Sequence, residues 1–504
     1  MKREKFTSTN NFEEKSELRK IFKEWYTSIS FHCFSKIFSN NNPILRINWS
    51  IFFACFSFFT IKLLFRDIHQ YLEYDVVSKI RVFNEKSSPF PTVTICDANQ
   101  FSTREAERLI LKTTNASKKE FFSDLIMSQM EKSLVLMEYN KNIIKEQVFG
   151  LSDEKKRKLG LSFDRIQSCY FNEIECLNED FYWFFSYKWG SCYQFNSGKN
   201  TTSPLKETKL GGRNYGLGLF IGPLDNTNKY ATYHSSGLRI FVHNNSFLSS
   251  SADEILVETG KHSSITIKKT VTHKTPMPYS QCEVLTNFRS DLYDYIKLNY
   301  MEYHQKDCFE LCLQKIIIEN CSCFYTWLPE YGSSYPPCFS LRQFKCLSLK
   351  FNETIDEIDK ICAPQCPLEC DYVTYDLSIS SLTFPNKQFY DSLNLNKSEM
   401  TLSKYRQLYL GVDIFFPVKQ FTEVSETPKI TFVDLVSSIG GALGVFLGLS
   451  VFSLFEMFEI VLKILFFLCK RIVYYKKEKV LKRNTSLLSM ASPSPLIYSV
   501  KHDK

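Results

Sequence analysis

Residues Ser437-Ser438-Ile439-Gly440-Gly441-Ala442-Leu443-Gly444-Val445-Phe446-Leu447-Gly448-Leu449-Ser450 sit inside the longest apolar run of the chain, roughly Phe432 to Phe455. About 24 residues are enough to cross a bilayer with some tilt. Gly440, Gly444 and Gly448 recur every fourth residue, so on a helix they share one face. In a membrane such a face lets neighbouring helices approach closely, and on the glycines alone simple helix packing explains it as well as anything else. Glu456 and Glu459 tip the balance. They lie past Ser450, where the hydrocarbon should be ending, and carboxylates there are costly unless they face water or a partner. Exposed backbone at membrane depth is tolerated only where it lines a cavity. Small residues, a point at Gly448 where the helix can part, and two carboxylates in that order suit a cation pathway.

Working outward, a second apolar run covers about Ile44 to Phe65. It is rich in Phe and interrupted by Lys62 and then Arg66, which can snorkel to an interface. The chain therefore divides into an N-terminal segment at 1–43, a first span at 44–68, a middle region at 69–427, a second span at 428–462 and a tail at 463–504. The net charge of +8 is concentrated at the two ends, with Lys463, Lys470, Arg471, Lys476, Lys477, Lys479, Lys482 and Arg483 in the tail. Basic flanks mark the cytoplasmic side of apolar spans. Both termini are thus expected in the cytoplasm, with the middle region outside the cell in a multi-pass plasma-membrane protein. No early apolar core follows Met1, so no cleavable signal peptide is expected. Basic segments that abut membrane spans argue against nucleic-acid binding.

Of the 17 cysteines, Cys33, Cys55 and Cys469 fall in the N-terminal segment, the first span and the end of the second. The rest lie between the spans in even number, which reads as a disulfide framework in an oxidising compartment. Cys362, Cys366 and Cys370, with Cys308 and Cys312, have spacings that zinc could use. The middle histidines are few and not spaced with them, so no metal site is expected. Sequons at Asn115, Asn200, Asn244, Asn352 and Asn396 agree with an outside location; a sixth at Asn320 has Cys321 in its middle position.

The N-terminal segment carries a candidate helix at Glu13–Trp25. The middle region reads as mixed α/β. Phe90–Cys96 is a β-branched strand entered through prolines, and Leu217–Ile221, Leu238–His243 and Ser263–Thr272 are strand-like. Asp371–Ser381 and Tyr409–Pro417 look like strands returning towards the membrane. Helical patterns fall at Thr103–Leu111, Lys118–Glu138 and Glu302–Glu319, and Pro276-Met277-Pro278-Tyr279 reads as a stiff extended connector.

Taken in order, these residues resemble the degenerin/epithelial sodium channel family, which includes acid-sensing and peptide-gated channels. The resemblance covers about His32 to Glu459. Phe90-Pro91-Thr92-Val93-Thr94-Ile95-Cys96-Asp97-Ala98-Asn99 matches the motif after the first span, and Trp189-Gly190-Ser191-Cys192-Tyr193-Gln194-Phe195-Asn196 matches the family's Gly-x-Cys-Tyr-x-Phe-Asn. Cys366-Pro367-Leu368-Glu369-Cys370 with Tyr375, Ser378, Ser380 and Phe384-Pro385 matches the palm segment. Gly448-Leu449-Ser450 matches the Gly-x-Ser selectivity filter, with Ile439-Gly440-Gly441 and Gly444 as its approach.

The resemblance implies a trimer, homomeric or of related subunits, each with two transmembrane helices and a disulfide-rich ectodomain of palm, knuckle, β-ball, finger and thumb. It implies pairs Cys96–Cys192, Cys169–Cys176, Cys282–Cys370, Cys308–Cys366, Cys312–Cys362, Cys321–Cys346 and Cys323–Cys338; spacing alone selects no connectivity. It further implies a sodium-selective pore without cofactor, Na⁺ being the permeant ion. Gly444 falls at the amiloride-contact position, Ser437 at the degenerin position, and Tyr74 and Tyr279 at an aromatic pair linking the first span to the thumb. Two departures stand out. The family's cytoplasmic His-Gly pair is His32-Cys33 here, which places a side chain where a tight turn favours glycine. The histidine of acid-sensing members after the first span is replaced by Val76, and a nearby acidic residue by Arg81. Loss of that histidine weakens proton gating, so a ligand such as an extracellular peptide is the expected stimulus, with mechanical gating next.

Two other classes remain for comparison. A bitopic, cysteine-rich adhesion or receptor protein would explain the cysteines and sequons but not the Gly-x-Ser or Glu456. An ATP-gated trimeric channel would also have two spans, without these motifs. The sequence carries no phosphate-binding loop or nucleophile elbow, so no enzyme is expected.

Overall fold

The computed structural model describes residues 20, 23, 36–38, 40–113, 137, 140–142, 144–199, 204–224, 229, 233–244, 252–285, 288–300, 302–332, 335–393, 395 and 399–488. Two units emerge: residues 1–75 with 428–504, and residues 76–427. The helices expected at Glu13–Trp25 and Lys118–Glu138 fall almost wholly outside the described residues, as do His32, Cys33, Asn115, Asn200 and Asn396.

The first unit opens with α1 (Pro43–Leu72). The Asn42 side chain caps it by accepting the Ile44 N–H at 3.2 Å, and Pro43 occupies the first turn, where its missing donor is harmless. Most large apolar side chains of α1 are exposed, among them Phe52, Phe58, Phe59 and Phe65. Among the described residues it is the one helix long and apolar enough to cross a membrane.

The second unit is β-rich. One sheet takes, in spatial order, β1 (Val76–Asn84), β12 (Gln420–Pro428), β9 (Lys261–His273), β11 (Leu410–Phe415), β6 (Leu217–Ile221) and β3 (Ile166–Phe171), with a short strand Ile174–Glu175 at the end. Its spine is β9. The first half of β9 pairs parallel with β11 (His262 opposite Gly411 through Thr266 opposite Phe415), and the second half pairs parallel with β12 (Lys269 opposite Phe421). Along its other edge β10 (Asp371–Thr383) runs antiparallel over the full length, Lys261 opposite Thr383 and His273 opposite Asp371. A thirteen-residue strand with β-branched residues through most of its length can template three partners at once. The second sheet has the order β8 (Asp253–Glu258), β7 (Gly237–His243), β2 (Thr92–Asp97), β5 (Gly190–Phe195), β4 (Phe181–Ser186). Its three central strands are buried at every position, which is why they read as near-continuous apolar or β-branched runs. Phe90, Phe171, Phe181 and Phe195 fill the core, with ring centroids 5.0 Å apart for Phe90–Phe171 and 5.5 Å for Phe181–Phe195.

Helices α2 (Arg104–Thr113), α3 (Asp291–Tyr300), α4 (Gln305–Cys321), α5 (Leu341–Ile355) and α6 (Ile358–Cys362) belong to the same unit, with shorter helices at Asp153–Arg157, Lys387–Ser392 and Leu402–Leu408. Helix α4 buries Leu311, Leu313 and Ile317 against α3 and α5, and disulfides add covalent closure. Cys308–Cys366 and Cys312–Cys362 tie two successive turns of α4 to the segment from α6 to β10, while Cys321–Cys346 ties its end to α5. Cys96–Cys192, Cys169–Cys176, Cys282–Cys370 and Cys323–Cys338 make up the rest. These are the seven pairs the resemblance implied; Cys55 and Cys469 are free and exposed.

Two readings change. Pro276–Tyr279 is a turn, with the Tyr279 N–H donating to the Pro276 carbonyl at 3.2 Å, because proline fixes φ where a turn begins. The second apolar run parts at Gly448, as its sequence allowed, into α7 (Phe432–Ala442) and α8 (Val451–Leu488), but α8 continues through the basic residues from Lys463 instead of ending near 462.

Candidate functional site

The interruption between α7 and α8 is written in local chemistry. A capping box starts α7: Thr431 Oγ1 accepts the Asp434 N–H at 3.1 Å, and Asp434 Oδ2 accepts the Thr431 N–H at 3.0 Å. At Leu443–Leu447 the helix widens into a π turn. Gly448 then takes φ 68° and ψ 20°, the left-handed region in which a Cβ costs roughly 1–2 kcal/mol. The Gly448 and Leu449 N–H groups return to the Gly444 and Leu443 carbonyls, each at 3.1 Å, closing the helix end. Ser450 starts the next helix. Its Oγ accepts the Ser453 N–H at 3.3 Å, and the Ser453 hydroxyl accepts the Ser450 N–H at 3.2 Å. Gly448-Leu449-Ser450 is therefore a non-helical link between two helices, and its backbone lies outside the regular ladder of either. A π turn beside such a link recurs at functional sites.

The surrounding residues fall as follows. Ser437 is exposed on α7. A Cβ added at Gly440 or Gly441 would meet nothing within 4 Å, and one at Gly444 only the Leu449 carbonyl oxygen at 3.8 Å. Among the described residues no side chain fills that glycine face. Glu456 is half-buried. Glu459 is exposed and paired with Lys463 at 2.7 Å, a surface pair worth little in stability but one that shares its charge. Tyr74 follows α1 with φ 52°, its ring 6.1 Å from Tyr71; Tyr279 belongs to the other unit. Asn352 is exposed on α5, while Asn244 donates its side-chain amide to Glu302 Oε1 at 3.0 Å.

In the second unit a charged cluster anchors the start of α4. His304 Nδ1 lies 3.3 Å from Glu369 Oε1 and its Nε2 3.7 Å from Glu302 Oε2; Glu369 Oε2 also accepts the Gln305 N–H at 3.1 Å. Burial pulls the His304 pKa down, but the two carboxylates, helped by Asp307, override it and push it up to about 10. His243 is the opposite case. Burial presses it down to about 4, and it stays neutral between the Thr94 hydroxyl at 2.8 Å and the Asn244 carbonyl at 2.9 Å. Burial pushes Asp97 up to about 6 against the pull of the Asn99 N–H, the Ser102 hydroxyl and the charges of Arg165 and Arg239. A cavity of about 290 Å³ opens among Tyr187, Trp189, Lys199, Tyr295, Glu310 and Glu330. Burial raises Glu330 and Tyr295 and lowers Lys199, so the cavity favours the uncharged form of each. Sequence reasoning missed Asp97, Glu302 and His304 as interacting groups. The signal for Asp97 was an acid ending the otherwise uncharged strand β2, directly after Cys96; the His304 cluster unites residues too far apart in sequence to be paired by pattern.

The sequence model described as amiloride-sensitive sodium channel matches residues 26–460. The chain is 23% identical over 467 residues to the bile acid-sensitive ion channel of Mus musculus, covering 88% of each. It is 23% identical over 465 residues to acid-sensing ion channel 1 of Gallus gallus, covering 86% of this chain and 82% of that one. It is 27% identical over 325 residues to the epithelial sodium channel gamma subunit of Pelodiscus sinensis, covering 61% of this chain and 46% of that one. Among solved structures, a proton-activated chloride channel aligns over 82% of this chain and 96% of its own with 6% identity and a TM-score of 0.33, too slight a likeness to bear on the fold.

Proposed function

This chain belongs to the amiloride-sensitive sodium channel family, and from that premise we propose that it is one subunit of a trimeric, sodium-selective channel of the plasma membrane. Family members are ion channels, not enzymes. In this reading α1 is the first span, α7 and α8 together form the second, both termini are cytoplasmic and residues 76–427 lie outside. The observation that carries the reading is the helix break at Gly448–Ser450. Backbone carbonyls and the Ser450 hydroxyl from three subunits would ring an axis and replace part of the hydration shell of Na⁺, a hard cation suited to oxygen ligands. Glu456, and Glu459 less so because of Lys463, would concentrate cations beyond it. Gly444 would meet amiloride and Ser437 would lie at the gate.

The stimulus we favour is an extracellular ligand, with a peptide first. Two observations support it. His304 stays charged and His243 neutral across the physiological range, so neither switches near pH 7. The cavity at Tyr187, Trp189 and Tyr295 offers aromatic faces with a few polar groups, the composition of small-ligand sites. A second reading, gating by protons, is favoured by Asp97, whose carboxyl titrates at about 6. Expression in oocytes, alone and with related subunits, under a peptide and pH screen tests both. Amiloride-blocked sodium current evoked by peptide at constant pH is the expected result. Current evoked only by acid, and abolished by Asp97→Asn, would select the second reading. Surface-expressed protein that passes no cation current with any related subunit would overturn the channel reading.

A further inference from the structure

Among the described residues of α1, two are buried, and both are polar: Thr60 and Asp67. Seven residues apart, they share one face of the helix, while the phenylalanines around them are exposed. The Thr60 hydroxyl is satisfied within α1, donating to the Phe56 carbonyl at 2.8 Å. Asp67 reaches out of its helix. Its Oδ2 accepts the Ser438 hydroxyl of α7 at 2.5 Å, while its Oδ1 accepts Nε and Nη2 of the neighbouring Arg66 at 3.1 and 3.0 Å. The Arg66 side chain itself is 61% exposed and Asp67 only 7%, so the guanidinium balances the charge from outside while the carboxylate is enclosed between the helices.

A carboxylate at the edge of a membrane span is expensive, and an apolar residue would pack this face without that cost. What the carboxylate adds is a short, charge-assisted hydrogen bond, about twice as strong as a neutral one and strict in its geometry. Its partner Ser438 follows Ser437 directly and precedes Gly440, Gly441 and Gly444, whose open face leaves α7 little side-chain packing of its own. We propose that Asp67 and Ser438 form a latch between the first span and the pore-lining helix, holding the gate in the conformation of this structure. A second contact joins the same two runs away from that bond, Phe56 to Phe446 at 6.1 Å between ring centroids. Asp67 is thus a positioning residue, acting on conduction through Ser438.

The inference rests on the channel reading, and the experiment separates the two. Single-channel recording compares wild type, Asp67→Ala, Ser438→Ala, the double variant and Ser438→Thr. Each single change is expected to move the open-to-closed ratio in the same direction by about tenfold per subunit, the range for a hydrogen bond to a charged group. The double variant should match the singles, since one bond is lost in all three, and threonine should restore the wild-type ratio by keeping the hydroxyl. Wild-type-like singles, or single effects that multiply in the double variant, overturn the latch while leaving the channel reading intact. A second arm needs no current. In a background with Cys33, Cys55 and Cys469 replaced by Ser, Asp67→Cys and Ser438→Cys are treated in membranes with a short bifunctional thiol-reactive crosslinker, and a protease site inserted after Lys86 is then cut. Retention of the N-terminal fragment on a denaturing gel is expected for this pair and not for Asp67→Cys with Val433→Cys. Release of the fragment from both pairs overturns the proposal, whether or not the protein conducts.

Discussion

Replacing His304 by glutamine should cost the second unit stability in a pH-dependent way. In the folded chain the imidazole sits between Glu369 at 3.3 Å and Glu302 at 3.7 Å with its side chain 16% exposed, and its pKa rises from 6.5 to about 10. A folded pKa raised above the unfolded one gives stability that is complete below pH 6.5 and is lost as pH climbs through 10. A shift of about 3.5 units corresponds to an order of 5 kcal/mol at full protonation, falling to about 3 kcal/mol at pH 7.4 and about 1 kcal/mol at pH 9. The glutamine amide would carry no charge, leaving Glu302 and Glu369 to face each other, and breaking such a buried pair costs about 3–5 kcal/mol by an independent route. The assay is guanidinium unfolding of the full chain in detergent, disulfides intact, followed by tryptophan fluorescence at pH 6.5, 8 and 9.5. Wild type should lose stability steadily across that series, and His304→Gln should start lower and stay nearly flat. A wild type whose midpoint does not move between pH 6.5 and 9.5, or a variant with the wild-type slope, refutes the reasoning.

Asp97→Asn should do the reverse. Its folded pKa of about 6 lies above the usual 3.8, so its favourable contribution is complete below 3.8 and lost as pH rises through 6. The neutral amide, which still accepts the Asn99 N–H, should stabilise the unit by roughly 1–3 kcal/mol at pH 7.4 and by far less at pH 4.5 in the same unfolding assay. Ser437→Tyr should produce a standing inward current in oocytes, because a bulky side chain crowds the small residues beside the filter; a silent variant with normal surface labelling would remove Ser437 from the gate. Cys33→Gly should raise current per surface channel without changing ion selectivity, since glycine takes a tight turn without the roughly 1 kcal/mol cost of a Cβ. An equal gain from Cys33→Ala would assign the effect to the thiol.

Much of this protein is legible in its sequence because the decisive signals are local. Proline and asparagine set the start of α1, Thr431 and Asp434 that of α7, and Gly448 with Ser450 and Ser453 the break. The strands at Leu217, Leu238, Ser263, Asp371 and Tyr409 fall within a residue or two of where their patterns put them. Strand β1 escapes a pattern reading because it is exposed almost throughout, so Lys79-Ile80-Arg81-Val82 alternates without a buried face, and β12 because seven of its nine residues are polar or proline in a strand read only from its neighbours. Composition set the apolar runs but not their continuity. About 24 apolar residues permit a span and Gly448 marks where it parts, but only the backbone shows the π turn before it and α8 carried on through its lysines, because Lys, Arg and Glu are good helix formers.

What the sequence by itself determined is whatever depends on neighbours within one turn or one strand: caps, breaks, periodicity, charge flanks and the count of cysteines. Tertiary structure alone decided what depends on residues far apart in the chain. It set Asp67 against Ser438, placed His304 between Glu302 and Glu369, and buried Asp97 and His243 so that the pKa of the first is raised and that of the second lowered. The physical reason is range. Backbone dihedrals and capping bonds respond to adjacent residues, whereas desolvation and charge pairing depend on which distant segments the fold brings within a few ångströms.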